Sequence, residues 1–432
     1  MIKINSFSKS AIALSTLIAC GFSASAIAGP FQTSKAFDLT VGAGSTYNAA
    51  ADTITGGVVS APFGASTVQE LRDQITDSGL KQVNANYSAT GSAVIRAGYR
   101  GLPIVLSSTN NSTAVSLNIP SIGLAKTFSS KTNRDDNTKD LFDYLKSTGE
   151  DVLNQLQQKL AEKSPIDPIA GNPASMQTRM VMDDFDRSFT QFASNIKASS
   201  ADQSSAPGLI GPGLSLGTVS SGGISTNSTT LPLSYTIRND LDPRKQWSFH
   251  LPLTTSDTAG GKSYGGSLGV AYRFPVNDEW ALMPSVSYGI TGSADLGAAA
   301  AMLAASVTSQ YMMRMDGYDL AFGNMIGMYQ SSKLSAGDYA VDPKINNTVF
   351  RNGVMASFPT DAFGTRAAIE VSFILTNFTG TALYSNQYQE LGVTLGTNKS
   401  ANAARTYYRA GLTYLSGENG ITGARLNFGY WF

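Results

Sequence analysis

From about Thr229 to its end, the chain repeats one pattern: residues alternate with a period of two, segment after segment. In Ser263 to Phe274 one parity is Tyr264, Gly266, Leu268, Val270, Tyr272 and Phe274; the other is Ser263, Gly265, Ser267, Gly269, Ala271 and Arg273. In the next segment Trp280, Leu282, Pro284, Val286, Tyr288 and Ile290 oppose Glu279, Ala281, Ser285, Ser287 and Thr291. Further on, Ile369, Val371, Phe373 and Leu375 oppose Arg366, Glu370, Ser372 and Thr376. Successive side chains of a strand point to opposite faces, so each parity becomes one face of a sheet. Nine further segments read the same way, near 213–224, 229–240, 246–258, 300–315, 318–334, 348–359, 388–398, 406–418 and 421–432, which makes twelve strands. An even number of antiparallel strands suits a closed barrel.

The composition of the two faces says where such a barrel belongs. A sheet facing water normally carries Lys and Glu, whereas the polar face here is Gly, Ser, Ala and Thr with isolated charges. Only 14% of the chain is charged, against roughly 25% in an ordinary soluble protein. Beyond the extreme N-terminus no apolar run reaches the roughly 20 residues of a spanning helix. Tyr264, Trp280, Tyr311, Tyr318, Phe378, Tyr388 and Phe432 collect near segment ends, as in the aromatic girdles of membrane barrels. Asn277-Asp278 and Asp316-Gly317 are tight-turn signals, while 331–347 and 379–387 read as longer polar loops. The fold expected is mainly β: a transmembrane antiparallel barrel over 207–432, preceded by a mixed N-terminal region.

The last strand adds a resemblance. Leu426, Phe428, Tyr430 and Phe432 share one face and the sequence stops on the aromatic. This resembles the C-terminal signal by which bacterial outer-membrane barrels are recognised by the assembly machinery, which implies Gram-negative outer-membrane lipid and that machinery as partners. The other end agrees. Lys3 and Lys9 precede the apolar run Ala11 to Phe22, and Ser23-Ala24-Ser25-Ala26-Ile27-Ala28 ends in a small-residue cleavage pattern. Residues 1–28 therefore read as a secretory signal peptide. Leu17-Ile18-Ala19-Cys20 also resembles a lipobox, whose cysteine is lipidated; the longer cleavage leaves a fuller apolar region. Cys20 is the sole cysteine, so thiolate metal sites and disulfides are closed to the exported chain.

The N-terminal half follows another pattern. Residues 29–128 are rich in Gly, Ser and Thr, with strands expected at 37–47, 92–107 and 113–128; the last two flank the hairpin tip Thr109-Asn110-Asn111-Ser112. If that hairpin joins the barrel, the count becomes fourteen. Residues 129–206 hold a helical hairpin and linker. Leu141, Leu145, Val152, Leu156 and Leu160 form one apolar stripe, and Val181, Phe185, Phe189, Phe192 and Ile196 a second. Two amphipathic helices joined by a Pro/Gly-rich connection are expected to bury their stripes against each other, as a periplasmic domain, a lumen plug or an external cap. Ser- and Gly-rich 199–228 reads as the linker into the barrel.

A twelve-stranded C-terminal barrel behind a helix and an exported N-terminal region resembles the translocator unit of autotransporters. It is less similar to fatty-acid-transporter barrels with an N-terminal hatch, whose Asn-Pro-Ala motif occurs here only far downstream, as Asn172-Pro173-Ala174; a plain turn explains those residues.

Little points to catalysis. His250 is the only histidine and shares parity with Ser248 and Thr254, so it should face the lumen as a structural hydrogen-bonder. It lacks the serine–histidine–asparagine pattern of outer-membrane phospholipases, and one histidine is too few for a histidine-based metal site. Gly260-Gly261-Lys262-Ser263 lacks the first glycine of a phosphate loop. Asn133-Arg134-Asp135-Asp136-Asn137 lacks calcium-loop spacing and suits a helix cap, and Asp183, Asp184 and Asp186 read as a solvated helix face. Lys+Arg and Asp+Glu both number 31, which argues against a nucleic-acid partner. No cofactor is expected.

The polar parity does collect Arg238, Arg273, Arg314, Arg351, Arg366, Arg409 and Arg425, with Glu279, Glu370 and Glu390. Such an interior either favours anionic solutes or forms an Arg–Glu network that stiffens a narrow barrel. The function expected is a non-enzymatic channel, transporter or exporter-like pore with the helical region as plug, acting on an unknown solute. The alternatives are a surface binding or adhesion protein that uses the barrel as an anchor for an unknown ligand, and, third, a lipid hydrolase.

Overall fold

The computed structural model describes residues 31–147, 150–192, 208–239, 242, 244–336, 339–362, 365–397 and 407–431. Residues 1–28, Cys20, Ile196 and Phe432, on which several of the expectations rest, lie outside them.

The alternating segments become strands, and the strands close. β10 (Gly208–Ser221), β11 (Ile224–Arg238), β12 (Gln246–Thr258), β13 (Gly261–Pro275), β14 (Trp280–Ser293), β15 (Ala298–Arg314), β16 (Asp319–Ser332), β19 (Asn346–Ala362), β20 (Thr365–Gly380), β21 (Gln387–Thr397), β22 (Tyr407–Gly417) and β23 (Thr422–Trp431) form an antiparallel barrel. Pairing of β10 with β23, from Gly213 opposite Gly429 to Ser220 opposite Thr422, shuts the wall. Between β16 and β19 a short hairpin, β17 (Leu334–Ala336) and β18 (Tyr339–Val341), stands off the wall. Twelve strands bring the start of β10 and the end of β23 to one rim, here the terminal rim.

The outer parity is apolar and exposed: Trp247, Phe249, Leu251 and Leu253 on β12, and Tyr264 and Leu268 on β13, are among many such side chains. In water a band this large and continuous would be a severe liability, whereas against lipid it is the required surface. The fold is that of a membrane barrel. Tyr264, Trp280 and Tyr311 lie on this exterior, but Phe378 and Tyr388 do not belong to a girdle: both are buried inside the barrel. Their positions near strand ends mimic a girdle, yet their parity is the inner one. Gly222-Gly223 and Ala259-Gly260, all at positive φ, make two-residue turns at the rim away from the termini. The longer loops there, 333–345 and 381–386, are as expected, but tight turns and long loops are mixed at that rim.

The N-terminal half builds its own sheet, ordered β4-β1-β6-β7-β8-β9, with β5 also on β1. Its members are β1 (Phe37–Ala43), β4 (Val58–Val59), β5 (Phe63–Ala65), β6 (Ala93–Tyr99), β7 (Leu102–Ser108), β8 (Val115–Ile119) and β9 (Leu124–Phe128); β2 (Thr46–Asn48) and β3 (Thr53–Thr55) form a side hairpin. The two strands expected over 92–107 and 113–128 are thus four. Arg100-Gly101, both at positive φ, fold the first into a hairpin, and a turn through Pro120 to left-handed Gly123 breaks the second. None of these strands joins the barrel, so the fourteen-strand alternative is excluded.

Among the described residues five α-helices complete the fold. α1 (Val68–Gln74) and α2 (Asp77–Val83) are capped by Thr67 and Thr76 side chains. α3 (Arg134–Ser147) starts at Asn133, whose side chain accepts from the Asp136 amide at 2.7 Å. α4 (Glu150–Lys163) and α5 (Met176–Phe192) follow. The two apolar stripes do not bury each other. Leu141, Leu156 and Leu160 pack into the core of the N-terminal sheet, with Leu145 partly buried beside them. Val181, Phe185 and Phe189 of α5 pack against the inner wall of the barrel. Each stripe met a larger apolar surface than the other helix offers. The segment expected as linker is also shorter than 199–228, because 208–221 is already the first barrel strand.

The N-terminal domain sits on the rim opposite the termini. Val68 donates to the Asp295 carbonyl at 2.7 Å, Gln157 Nε2 to the Gly297 carbonyl at 3.0 Å, and the Asp342 amide to Asn154 Oδ1 at 2.8 Å. Leu296 and Ile224 from the barrel turns belong to the domain's own apolar core.

Candidate functional site: the barrel lumen

From its N-terminal end at the capped rim, where Gln177 Nε2 donates to Asn347 Oδ1 at 2.9 Å, α5 descends through the barrel. Its backbone runs closest to β13 to β16, on one side of the wall. Phe185 and Phe189, with ring centroids 5.0 Å apart, press where β16 and β19 carry glycines directly opposite each other, Gly323 and Gly353. A Cβ at Gly323 would lie 2.6 Å from Phe189 and 2.8 Å from Phe185. Met180 fills the same role over Gly289. A mid-strand glycine on the inner parity marks a close approach by another element, and Gly289, Gly323 and Gly353 carry that signal in the sequence.

The charges that sequence parity gathers fall into separate groups. At the centre, Arg351, fully buried, reaches Glu390 at 2.5 Å, Asp186 of α5 at 3.2 Å and Thr376 Oγ1 at 2.7 Å. Arg425 shares both acids, at 3.2 Å each. Two guanidinium groups from the wall and two carboxylates, one from the wall and one from α5, thus form a closed square. Arg351 also lies over the Phe185 ring at 5.0 Å. Arg409 pairs with Glu370 within the wall.

In a neighbouring group, Asp184 of α5 accepts from Tyr329 Oη at 2.8 Å and lies 3.4 Å from Arg187 Nη2 and 4.0 Å from His250 Nε2. The imidazole lies flat on the wall because Gly269 stands across from it; a Cβ there would come within 1.9 Å of His250 Cε1. Ser234 also stands cross-strand from His250, but its hydroxyl donates to the Gly211 carbonyl at 3.1 Å, so it is not held as a nucleophile. Arg238 and Arg273 face Gln246 from either side, close to the terminal rim.

Three of the sequence candidates fall outside these groups. Arg314 is exposed at the end of β15, and Glu279 is exposed in the turn before β14. Arg366, the second residue of β20, stands opposite Asp361, and its side chain is outside the described residues. At the assembly signal, Leu426 and Phe428 are exposed on the outer face, and the side chains of Tyr430 and Phe432 are not described. The aspartates of α5 are not a solvated face: Asp184 is buried and Asp186 meets wall arginines. Helical periodicity puts Asp184 and Asp186 about 100° to either side of Phe185, but nothing local says that a barrel encloses all of these faces. Among the described residues no group of three His, Cys, Asp or Glu side chains could hold a metal ion.

Because α5 leans on β13 to β16, it leaves space along the opposite wall. A cavity of about 280 Å³ runs beside β10, β11, β22 and β23, where inner positions such as Ser215, Thr230 and Thr413 stay half-buried. Arg179, Asp183, Arg187, His250, Arg409 and Arg425 line it.

No protein-family model and no curated protein sequence matches the chain. Among solved structures it is similar in form to the β domain of the Bordetella autotransporter BrkA, at 14% identity and a TM-score of 0.42, over 52% of this chain and 99% of that one. The translocator domain of autotransporter NalP from Neisseria meningitidis matches at 13% identity and a TM-score of 0.40, over 59% of this chain and 95% of that one. An outer membrane channel from Pseudomonas putida F1 matches at 15% and 0.35, over 54% and 99%.

Proposed function

We propose that this chain is an exporter-like barrel of the Gram-negative outer membrane, closed at rest by α5, that holds its own N-terminal domain at the rim away from its termini. One observation carries the reading: α5 crosses the lumen between a domain at one rim and a first strand that begins at the other. A helix whose phenylalanine stripe and aspartates both find partners in the wall is a fitted occupant of the pore. A barrel inserted from the periplasm keeps both ends on that side, so the capped rim and the domain face outwards. Outer-membrane lipid against the apolar exterior and the assembly machinery at Leu426, Phe428, Tyr430 and Phe432 are the partners this implies. The barrel acts by enclosing and releasing a segment, without catalysis.

Protease treatment of intact cells tests the orientation: residues 31–163 should be lost while the barrel survives, and a protected domain refutes it. In planar bilayers the full chain should be silent and a chain lacking 31–192 should conduct; equal silence refutes the plug. A second reading, a plugged channel for anionic solutes, is favoured by the wall itself, where among the described residues Arg238, Arg273, Arg351, Arg409 and Arg425 outnumber the inner wall acids Glu370 and Glu390. Anion selectivity of the deleted chain, read from its reversal potential, would support it.

A further inference from the structure

Among the described residues, some buried side-chain nitrogens of groups that line the lumen cavity have no hydrogen-bond partner. Arg187, with its side chain 7% exposed, spends Nη2 on Asp184 and on the Asp183 carbonyl, while Nη1 is buried without a hydrogen-bond partner. His250, 5% exposed, has Nδ1 buried without one. Both residues line the cavity and both flank the same Asp184 carboxylate, whose other oxygen is taken by Tyr329. Leaving a buried donor unmade costs about 1–3 kcal/mol, and more when the group is charged. The seat of the imidazole is built for this posture, since Gly269 leaves room for the ring to lie flat. The acids lining the space do not answer these donors. Asp186 and Glu390 are shared between Arg351 and Arg425. Asp183, one turn before Arg187 on α5, is a charged neighbour of that guanidinium but makes no hydrogen bond to Nη1.

We propose that this cavity binds a small oxyanion, a carboxylate or phosphate group, which accepts from Arg187 Nη1 and from the Nδ1–H tautomer of His250. Half of the site belongs to α5 and half to β12, so the site exists only while the helix is in the lumen. A ligand that binds one of two states stabilises that state by mass action. The bound anion is therefore a latch on the plug. At about 280 Å³ the cavity is close to the lower end of small-ligand pockets and suits a compact solute. The inference does not depend on which way the domain faces.

The full chain in non-ionic detergent, titrated calorimetrically with inorganic phosphate and, separately, sodium acetate at constant ionic strength, tests this. Saturable binding of either probe, weakened at least tenfold in both Arg187→Gln and His250→Ala, sustains the site and identifies the head group. The same probe should raise the temperature at which the folded band shifts in heat-modifiable gel migration. Should Arg187→Gln fail to fold, Ser215→Phe fills the cavity from the far wall without touching either donor, and should abolish binding equally. Absence of binding by both probes overturns the proposal, as does equal affinity in all variants.

Discussion

Truncating Phe185 to alanine probes what holds α5 in the barrel. The side chain is fully buried between Phe189, Arg351 and the paired glycines Gly323 and Gly353. Removing a buried phenylalanine ring costs about 3–5 kcal/mol when the surroundings cannot collapse into the space. Here they cannot, because the wall beneath is held by the unbroken β16–β19 ladder, from Asp319 opposite Ser357 to Gln330 opposite Asn346. The barrel has no other use for the ring, so the loss falls on the docked state of α5 against the undocked one. At 1.4 kcal/mol per tenfold, the undocked fraction should rise between about a hundredfold and a few thousandfold. No cysteine occurs in residues 31–432, so Ser188→Cys on the buried face of α5 gives a clean reporter. In that background the rate of thiol labelling should rise with Phe185→Ala by the same factor, up to the limit set by opening. Phe373→Ala, on the outer face, should leave it unchanged. A labelling rate within threefold of the parent in Phe185→Ala would refute the claim that aromatic packing on the glycine pair retains the helix.

Other substitutions test other links. Leu251→Arg places a charge mid-strand on the outer face and should destabilise the barrel in lipid vesicles by about 2–4 kcal/mol in urea titrations; no change would show that this face does not meet lipid. Arg100 and Asp167, both fully buried and 2.6 Å apart, join the domain to the connection before α5, so Arg100→Gln should cost about 3–5 kcal/mol in the domain's thermal transition. Burial and a hydrogen bond to Asp77 raise the Tyr87 hydroxyl pKa above its ordinary value. A raised folded-state pKa means that this stability is complete below the unfolded value near ~10 and is lost as pH rises beyond it. Tyr87→Phe should flatten that alkaline loss, measured by denaturant titration of the full chain across the alkaline range.

Some of this was legible before any coordinates. Period-two alternation is local, and its consequence for a strand's faces needs no knowledge of the neighbours. The inner position of Arg351, Glu370, Glu390, His250, Arg409 and Arg425 followed from parity alone, as did the outer position of Leu426 and Phe428. Parity failed at strand ends: Arg314 has a ladder partner only on its β16 side, and Glu279 lies in the turn before β14, so neither has wall on both sides to enclose it. Phe378 and Tyr388 lie near strand ends as girdle residues do, yet they share the inner parity of Thr376 and Glu390, and parity is what decides their burial.

The sequence by itself determined a closed, lipid-facing barrel and two helical stripes that needed burial. Only the tertiary structure decided what buried them. An apolar stripe specifies that it must leave water, and any complementary surface will satisfy it. The leucines of α3 and α4 found a sheet, and the phenylalanines of α5 found glycines paired across two strands of the wall. That pairing brings together residues 30 positions apart along the chain. A register so distant is set by the closing of the whole barrel, and no local window of sequence contains it.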